Sequence, residues 1–155
     1  MKIQKSKGFT IIELLVVVAI IAVLTAIVLV NVSSYLNKGK DAAAQGNLAT
    51  MLVNGAIFND SIASPTGTYN GWITGAGTGG TGYVGPYNAV VAAGYAVTAT
   101  CNVAACAATS TAWCACVPLK ATTTAETFCV DSAGNKKKTT TACGTECAVA
   151  TALCI

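Results

Sequence analysis

From Phe9 to Val32 the chain is apolar at almost every position: 12 of its residues are Ile or Val, and Leu14 to Val30 holds no charge and one hydroxyl, Thr25. A helix over this stretch is about 36 Å long, enough to cross a hydrocarbon core of about 30 Å. Apolar on all sides, it needs either lipid or a bundle of similar helices around it. Ala19, Ala22 and Ala26 add a small-residue stripe that lets a second helix come close. Past the span the helical period continues. Leu48, Met51, Leu52 and Phe58 fall on one side and Val53 and Ile57 on the other, so the helix has two apolar faces, one of which can carry the protein's own sheet. The pattern predicts one helix from Phe9 to about Phe58, weakened by about 1 kcal/mol at each of Gly39, Gly46 and Gly55.

The periodicity then lapses. The segment "SPTGTYNGWITGAGTGGTGYVGPY" reads as a surface loop, with Tyr69, Trp72, Tyr83 and Tyr87 pinning it to the head or to a neighbour. Gly75, Gly77 and Gly80 have a G-x-G-x-x-G spacing, but a dinucleotide loop needs a strand-to-helix crossover that is not predicted here. Further on, "TAWCACVPL" alternates, with Trp113, Ala115 and Val117 on one face and Cys114 and Cys116 on the other. "ETFCVDSAGNKKK" reads as a strand, a turn over Ser132 to Asn135, and another strand. Sequential strands with local turns predict a small antiparallel sheet laid across the helix. The fold class is therefore α+β: a long N-terminal helix, transmembrane in its first half, packed on a small antiparallel β-sheet head that is rich in cysteine.

Charge orients the span. Lys2, Lys5 and Lys7 precede it with no accompanying acid, so the N-terminus is cytoplasmic and the chain after Val32 is extracytoplasmic. A secretory signal peptide also starts with lysines, but its apolar region is shorter and ends in a small-residue cleavage site. A plain uncleaved anchor leaves one residue unexplained. Glu13 is an acid inside the apolar run, and a carboxylate there is costly unless it meets a partner.

The residues "KGFTIIELLVVVAIIAVLTAIVLVNV" resemble the leader and N-terminal helix of type IV prepilins and related pseudopilins. The resemblance covers about the first 50 residues and combines Gly8, Phe9, Glu13 and the long aliphatic run. It implies a leader peptide at 1–8, a transmembrane and filament-core helix at 9–32, the soluble half of that helix at 33–58, and an extracytoplasmic head at 59–155. It implies cleavage between Gly8 and Phe9 by a prepilin peptidase that also methylates the new Phe9 amine. Glu13 then pairs with the amine of a neighbouring subunit, although helical spacing equally permits a pair with its own Phe9 amine. The implied partners are further copies of the chain in a helical filament, the peptidase, the inner-membrane assembly machinery, and the membrane itself before assembly. Location follows: a single-pass inner-membrane precursor, then a cell-surface filament. Many members of this family carry Gly and Pro where this chain has Ala22 and Val30, and their helix melts between those positions in the filament. No Gly or Pro occurs here between Phe9 and Lys38, so this stretch is expected to remain helical.

Eight cysteines follow the span: Cys101, Cys106, Cys114, Cys116, Cys129, Cys143, Cys147 and Cys154. An even number in an exported head of this size points to disulfides, with the connectivity open. Relatives commonly have one pair near the C-terminus, so the count departs from the resemblance. The competing chemistry is a metal held by Cys114, Cys116, Cys143 and Cys147, disfavoured because the chain has no His and an oxidising compartment opposes free thiolates. No cofactor is expected. Without Lys2, Lys5 and Lys7, six Lys face six Asp or Glu, so the mature chain is formally neutral, which argues against nucleic acid as a partner. Lys136, Lys137 and Lys138 form a local basic run, read as a solvated turn edge. Asn59-Asp60-Ser61 fits a common glycan sequon. No base accompanies any serine or cysteine, so the chain is not expected to be an enzyme. Three readings remain: a type IV pilus subunit, a type II secretion pseudopilin, and, from another class, a membrane-anchored extracytoplasmic thiol or metal-binding protein.

Overall fold

A computed structural model describes residues 8–60, 67–73, 81–103, 109–121, 124–147 and 151–154. In chain order these form α1 (Ile11–Asn59), α2 (Thr81–Ala92), β1 (Thr98–Cys101), β2 (Trp113–Pro118), β3 (Thr127–Asp131), β4 (Lys136–Thr139) and α3 (Cys143–Glu146). The architecture is α+β, and the chain divides into two compact units, Met1–Leu36 and Asn37–Ile155.

In the first unit α1 begins at Ile11 rather than Phe9, because Thr10 takes the N-cap position (below) and a cap residue stands outside the helical conformation. The helix then continues without a break through Ala22 to Val30, as the lack of Gly and Pro predicts. It ends at Asn59, one residue beyond the expected end.

In the second unit α1 buries Asp41, Ala44, Leu48, Met51, Gly55 and Phe58. Their spacings alternate between three and four residues, so they form a single face. Val53 and Ile57, on the other side, are 54% and 64% exposed, as the pattern predicts. Gly55 has a packing reason. A Cβ there would stand 2.7 to 2.9 Å from three atoms of the Trp113 indole, so only glycine lets the helix backbone reach this ring. The sheet order is β1-β2-β3-β4, antiparallel throughout. Trp113, Ala115, Val117 and Val130 join Leu48, Met51 and Phe58 in the main core, while Cys114, Cys116 and Cys129 face a second cluster with Cys143, Cys147 and Ala152. The alternation predicted for β2 holds, yet both of its faces are buried.

The Gly-rich stretch is only partly a loop. Tyr69 and Trp72 do pin 67–73 to the head, with the Trp72 ring tilted against Phe58 at 5.2 Å and against Trp113 at 5.6 Å between ring centroids. Thr81–Ala92, however, is helix α2 and not loop. Pro86 lies inside it and removes one helical hydrogen bond. Burial outweighs that loss: Tyr83 and Val90 are 3% and 0% exposed, and Tyr83 and Tyr87 stack one turn apart at 5.2 Å. The Gly75, Gly77 and Gly80 spacing lies outside the described residues.

Two buried carboxylates organise the backbone. Asp41 accepts hydrogen bonds from the Tyr95 hydroxyl, from Lys120 N at 2.9 Å and from Ala121 N at 2.8 Å, tying α1 to the chain that leaves β2. Burial pushes the Asp41 carboxyl upward, but these bonds and the nearby Lys138 charge outweigh it and hold the group below its ordinary value. Burial, reinforced by Asp41, raises the Tyr95 hydroxyl above its ordinary value. Asp131 accepts from Ala133 N and Asn135 N, both at 3.0 Å, closing the predicted turn in which Gly134 has a φ of 94°. Its other oxygen accepts from Asn135 Nδ2 at 2.8 Å and from Cys154 N at 2.9 Å, so one side chain holds both the hairpin and the C-terminal segment.

Candidate functional site

The residues singled out at the N-terminus are adjacent in the structure. Gly8, Phe9 and Thr10 precede the helix and are exposed, with Phe9 79% exposed. A Cβ on Gly8 would meet nothing within 4 Å. Among the described residues no packing contact therefore requires glycine at this position.

Glu13 has a local partner. Its Oε2 accepts the Thr10 N–H at 2.9 Å and the Thr10 hydroxyl at 2.8 Å, while Glu13 N donates to Thr10 Oγ1 at 3.3 Å. This is a reciprocal capping box, in which a threonine at the N-cap and a glutamate three residues on satisfy each other's amides at the helix start. Both bonds to the carboxylate fall on Oε2. Sequence reading centred on Glu13 misses Thr10, although the Thr-x-x-Glu spacing of "TIIE" carries the signal. The other polar group in the run is also satisfied internally: Thr25 Oγ1 donates to Ile21 O at 2.7 Å. These polar side chains, like the helix backbone beyond its first turn, thus find partners within the helix, which an apolar surrounding demands.

The apolar side chains do not. Ile11, Leu15, Val23, Ile27 and Leu29 are 60% to 82% exposed. The helix is long and apolar enough to cross a membrane. Ala19 and Ala22, two residues of the predicted stripe, line a shallow apolar hollow with Ile11, Leu14, Leu15 and Val18.

The cysteines form the second candidate site. Cys114 is bonded to Cys147, Cys116 to Cys143 and Cys129 to Cys154. Cys101 is also disulfide-bonded, and Cys106 lies outside the described residues. β2 and β3 supply Cys114, Cys116 and Cys129 from one sheet face, where Cys116 and Cys129 are register partners. Residues 143–154 supply the other three, so the bridges staple the C-terminal segment across that face. The four cysteines considered as metal ligands are joined to one another in two of these bridges. The Cys114, Cys129 and Cys147 sulfurs also converge within 4.8 Å, but each belongs to a disulfide and none is a thiolate.

The remaining sequence candidates are peripheral. Lys136, Lys137 and Lys138 lie on β4, an edge strand, and are all exposed. Lysines on an edge discourage pairing with another sheet. Asn59 ends α1 and is half-buried, and the Ser61 of its sequon lies outside the described residues.

Comparison with known proteins agrees with the N-terminal geometry. No curated protein and no solved structure matches the chain. One family description does match, the prokaryotic N-terminal methylation motif, over residues 3–29. That interval contains Gly8, Phe9, the Thr10–Glu13 box and most of the exposed apolar helix. The chain is thus one that carries the N-terminal methylation motif, the hallmark of type IV pilin and pseudopilin leaders.

Proposed function

We propose that the chain is the structural subunit of a type IV pilus, cut between Gly8 and Phe9, methylated on the Phe9 amine and polymerised through its apolar helix. The observation that carries this reading is an exposed, fully helical apolar segment beginning at a capped glutamate inside a methylation motif. Gly8 contributes as well, since packing among the described residues gives no reason for glycine there and a peptidase that must approach the backbone closely does. Cleavage removes the leader and leaves a cationic amine at Phe9, next to a helix end that is already positive through its dipole. Glu13 is the neutralising group. With both Thr10 bonds on Oε2, its second oxygen can accept an amine from a neighbouring subunit without loss of the cap. The pairing sets the register between subunits. Before assembly the helix anchors the precursor in the inner membrane, and afterwards it lies in the filament core. There it remains helical between Ala22 and Val30. The role is structural and not enzymatic.

Mass spectrometry of sheared surface material tests the processing step: Phe9 should be the N-terminus and carry one methyl group. Recovery of Met1 or Lys2 peptides from assembled filaments would overturn it. Glu13→Ala should be cleaved and inserted but assemble poorly, and abundant normal filaments from that variant would remove the pairing mechanism. Electron microscopy with and without the gene separates a pilus from a secretion pseudopilin, whose loss abolishes protein export without removing surface filaments.

A further inference from the structure

Three bridges share one cluster, but their accessibility differs. Cys114, Cys116 and Cys129 are 0% exposed, Cys147 is 2% and Cys143 is 9% exposed. Cys154 is the half-buried member. Thiol–disulfide exchange requires a thiolate to reach a disulfide sulfur, so access decides which bridge opens when the other sulfurs are comparably buried. We propose that Cys129–Cys154 is a thiol-exchange site and that Cys154 is modified by a low-molecular-weight thiol. The external thiolate attacks Cys154 Sγ, a new sulfur–sulfur bond forms, and the Cys129–Cys154 bond breaks. The bonding pair leaves on Cys129, which takes a proton from solvent. The external thiol is oxidised to the mixed disulfide and Cys129 is reduced, so the step needs no other reactant. Attack of Cys129 back on Cys154 restores the bridge.

In the bridged state the sulfurs are not aligned for propagation to the neighbouring bridge. Cys129 Sγ lies 3.2 Å from Cys114 Sγ and 3.7 Å from Cys147 Sγ. A nucleophile in line with a disulfide stands farther from the departing sulfur than from the attacked one by a full bond, about 2 Å. Here the difference is 3.7 − 3.2 = 0.5 Å, so Cys129 stands beside the Cys114–Cys147 bridge. Seen from Cys114, Cys129 is at 3.2 Å and Cys154 at 3.9 Å, which is side-on again. The modified head keeps its shape, because Asp131 still holds Cys154 N and the other two bridges still hold residues 143–147.

The test uses the full chain in detergent, incubated without oxygen with reduced glutathione, then alkylated, digested and analysed by mass spectrometry. Among the three bridges, the first product should be glutathione on Cys154 with an alkyl group on Cys129. A first adduct on Cys143 or Cys147 would overturn the site. A peptide pair joined through Cys114 and Cys129 would overturn the side-on block. Cys154→Ser supplies a second check, since it leaves Cys129 as a thiol beside an intact bridge. Cys114–Cys147 should persist in that variant, and its conversion to Cys114–Cys129 would count against the proposal.

Discussion

The stretch of α1 up to Leu36 and the unit from Asn37 onward satisfy their chemistry in opposite ways. In the first, Glu13, Thr10 and Thr25 find their hydrogen-bond partners within the helix while Ile11, Ile12, Leu15 and Leu29 remain 65% to 82% exposed. In the second, Leu48, Met51, Trp72, Trp113 and Val117 are 0% exposed and the bridges join the remaining sheet face to the C-terminal segment. Their acids differ likewise. Glu13 caps an exposed helix end, whereas Asp41 and Asp131 are buried acceptors of backbone N–H groups. One unit carries its own solvent-excluded core; under the proposed function the other would take its apolar environment from lipid or from neighbouring helices.

The largest expected effect falls on the second unit alone. Full reduction should remove bridges that contribute about 2 to 4 kcal/mol each, releasing residues 143–154 from the sheet. Proteolysis should then cut the C-terminal segment while the helical circular dichroism of the detergent-embedded first unit persists. Loss of both together would show that the two are not independent.

Asp41→Ala comes next. It leaves two amides and the Tyr95 hydroxyl without their shared acceptor, at an expected cost of about 2 to 4 kcal/mol in denaturant unfolding. The pH dependence follows from the direction of each shift. Because the folded Asp41 carboxyl lies below its ordinary value, its stabilisation is complete above about pH 4 and is lost as pH falls through the folded value. Tyr95, raised by burial, acts at the other end: its contribution is complete below about pH 10 and is lost as pH rises beyond that. Melting curves from pH 2 to 7 should show a smaller acid slope in Asp41→Asn than in the parent.

Two glycines of α1 sharpen the comparison further. Gly55→Ala drives a Cβ to 2.7 Å from the Trp113 ring and should cost about 1 to 3 kcal/mol. Gly46→Ala meets nothing within 4 Å and should stabilise by up to about 1 kcal/mol. Equal shifts in thermal melting for the two would remove the packing explanation of Gly55. The smallest effect belongs to the first unit: Thr10→Val should make amide exchange in the first turn of α1 about five-fold faster, the usual consequence of a lost N-cap. The melting of the second unit should not change.

Sequence alone determined whatever depends on neighbours along the chain. The apolar run, the two faces of α1 after Leu48, the alternation in β2 and the turn over Ser132 to Asn135 are all local patterns with a fixed geometric period. Thr10 belongs with them, since a capping box is readable from spacing. Tertiary structure decided the rest. Helix α2 forms despite Pro86 because Tyr83 and Val90 are buried against distant residues, and no local propensity contains that term. Gly55 reads as a weakness of a few atoms' absence until Trp113, 58 residues away, is found against it. The cysteine count predicted bridges but not partners, because pairing depends on which sulfurs the register of β2 and β3 sets opposite residues 143–154. Local patterns fix a residue's face; only the folded chain fixes what that face meets.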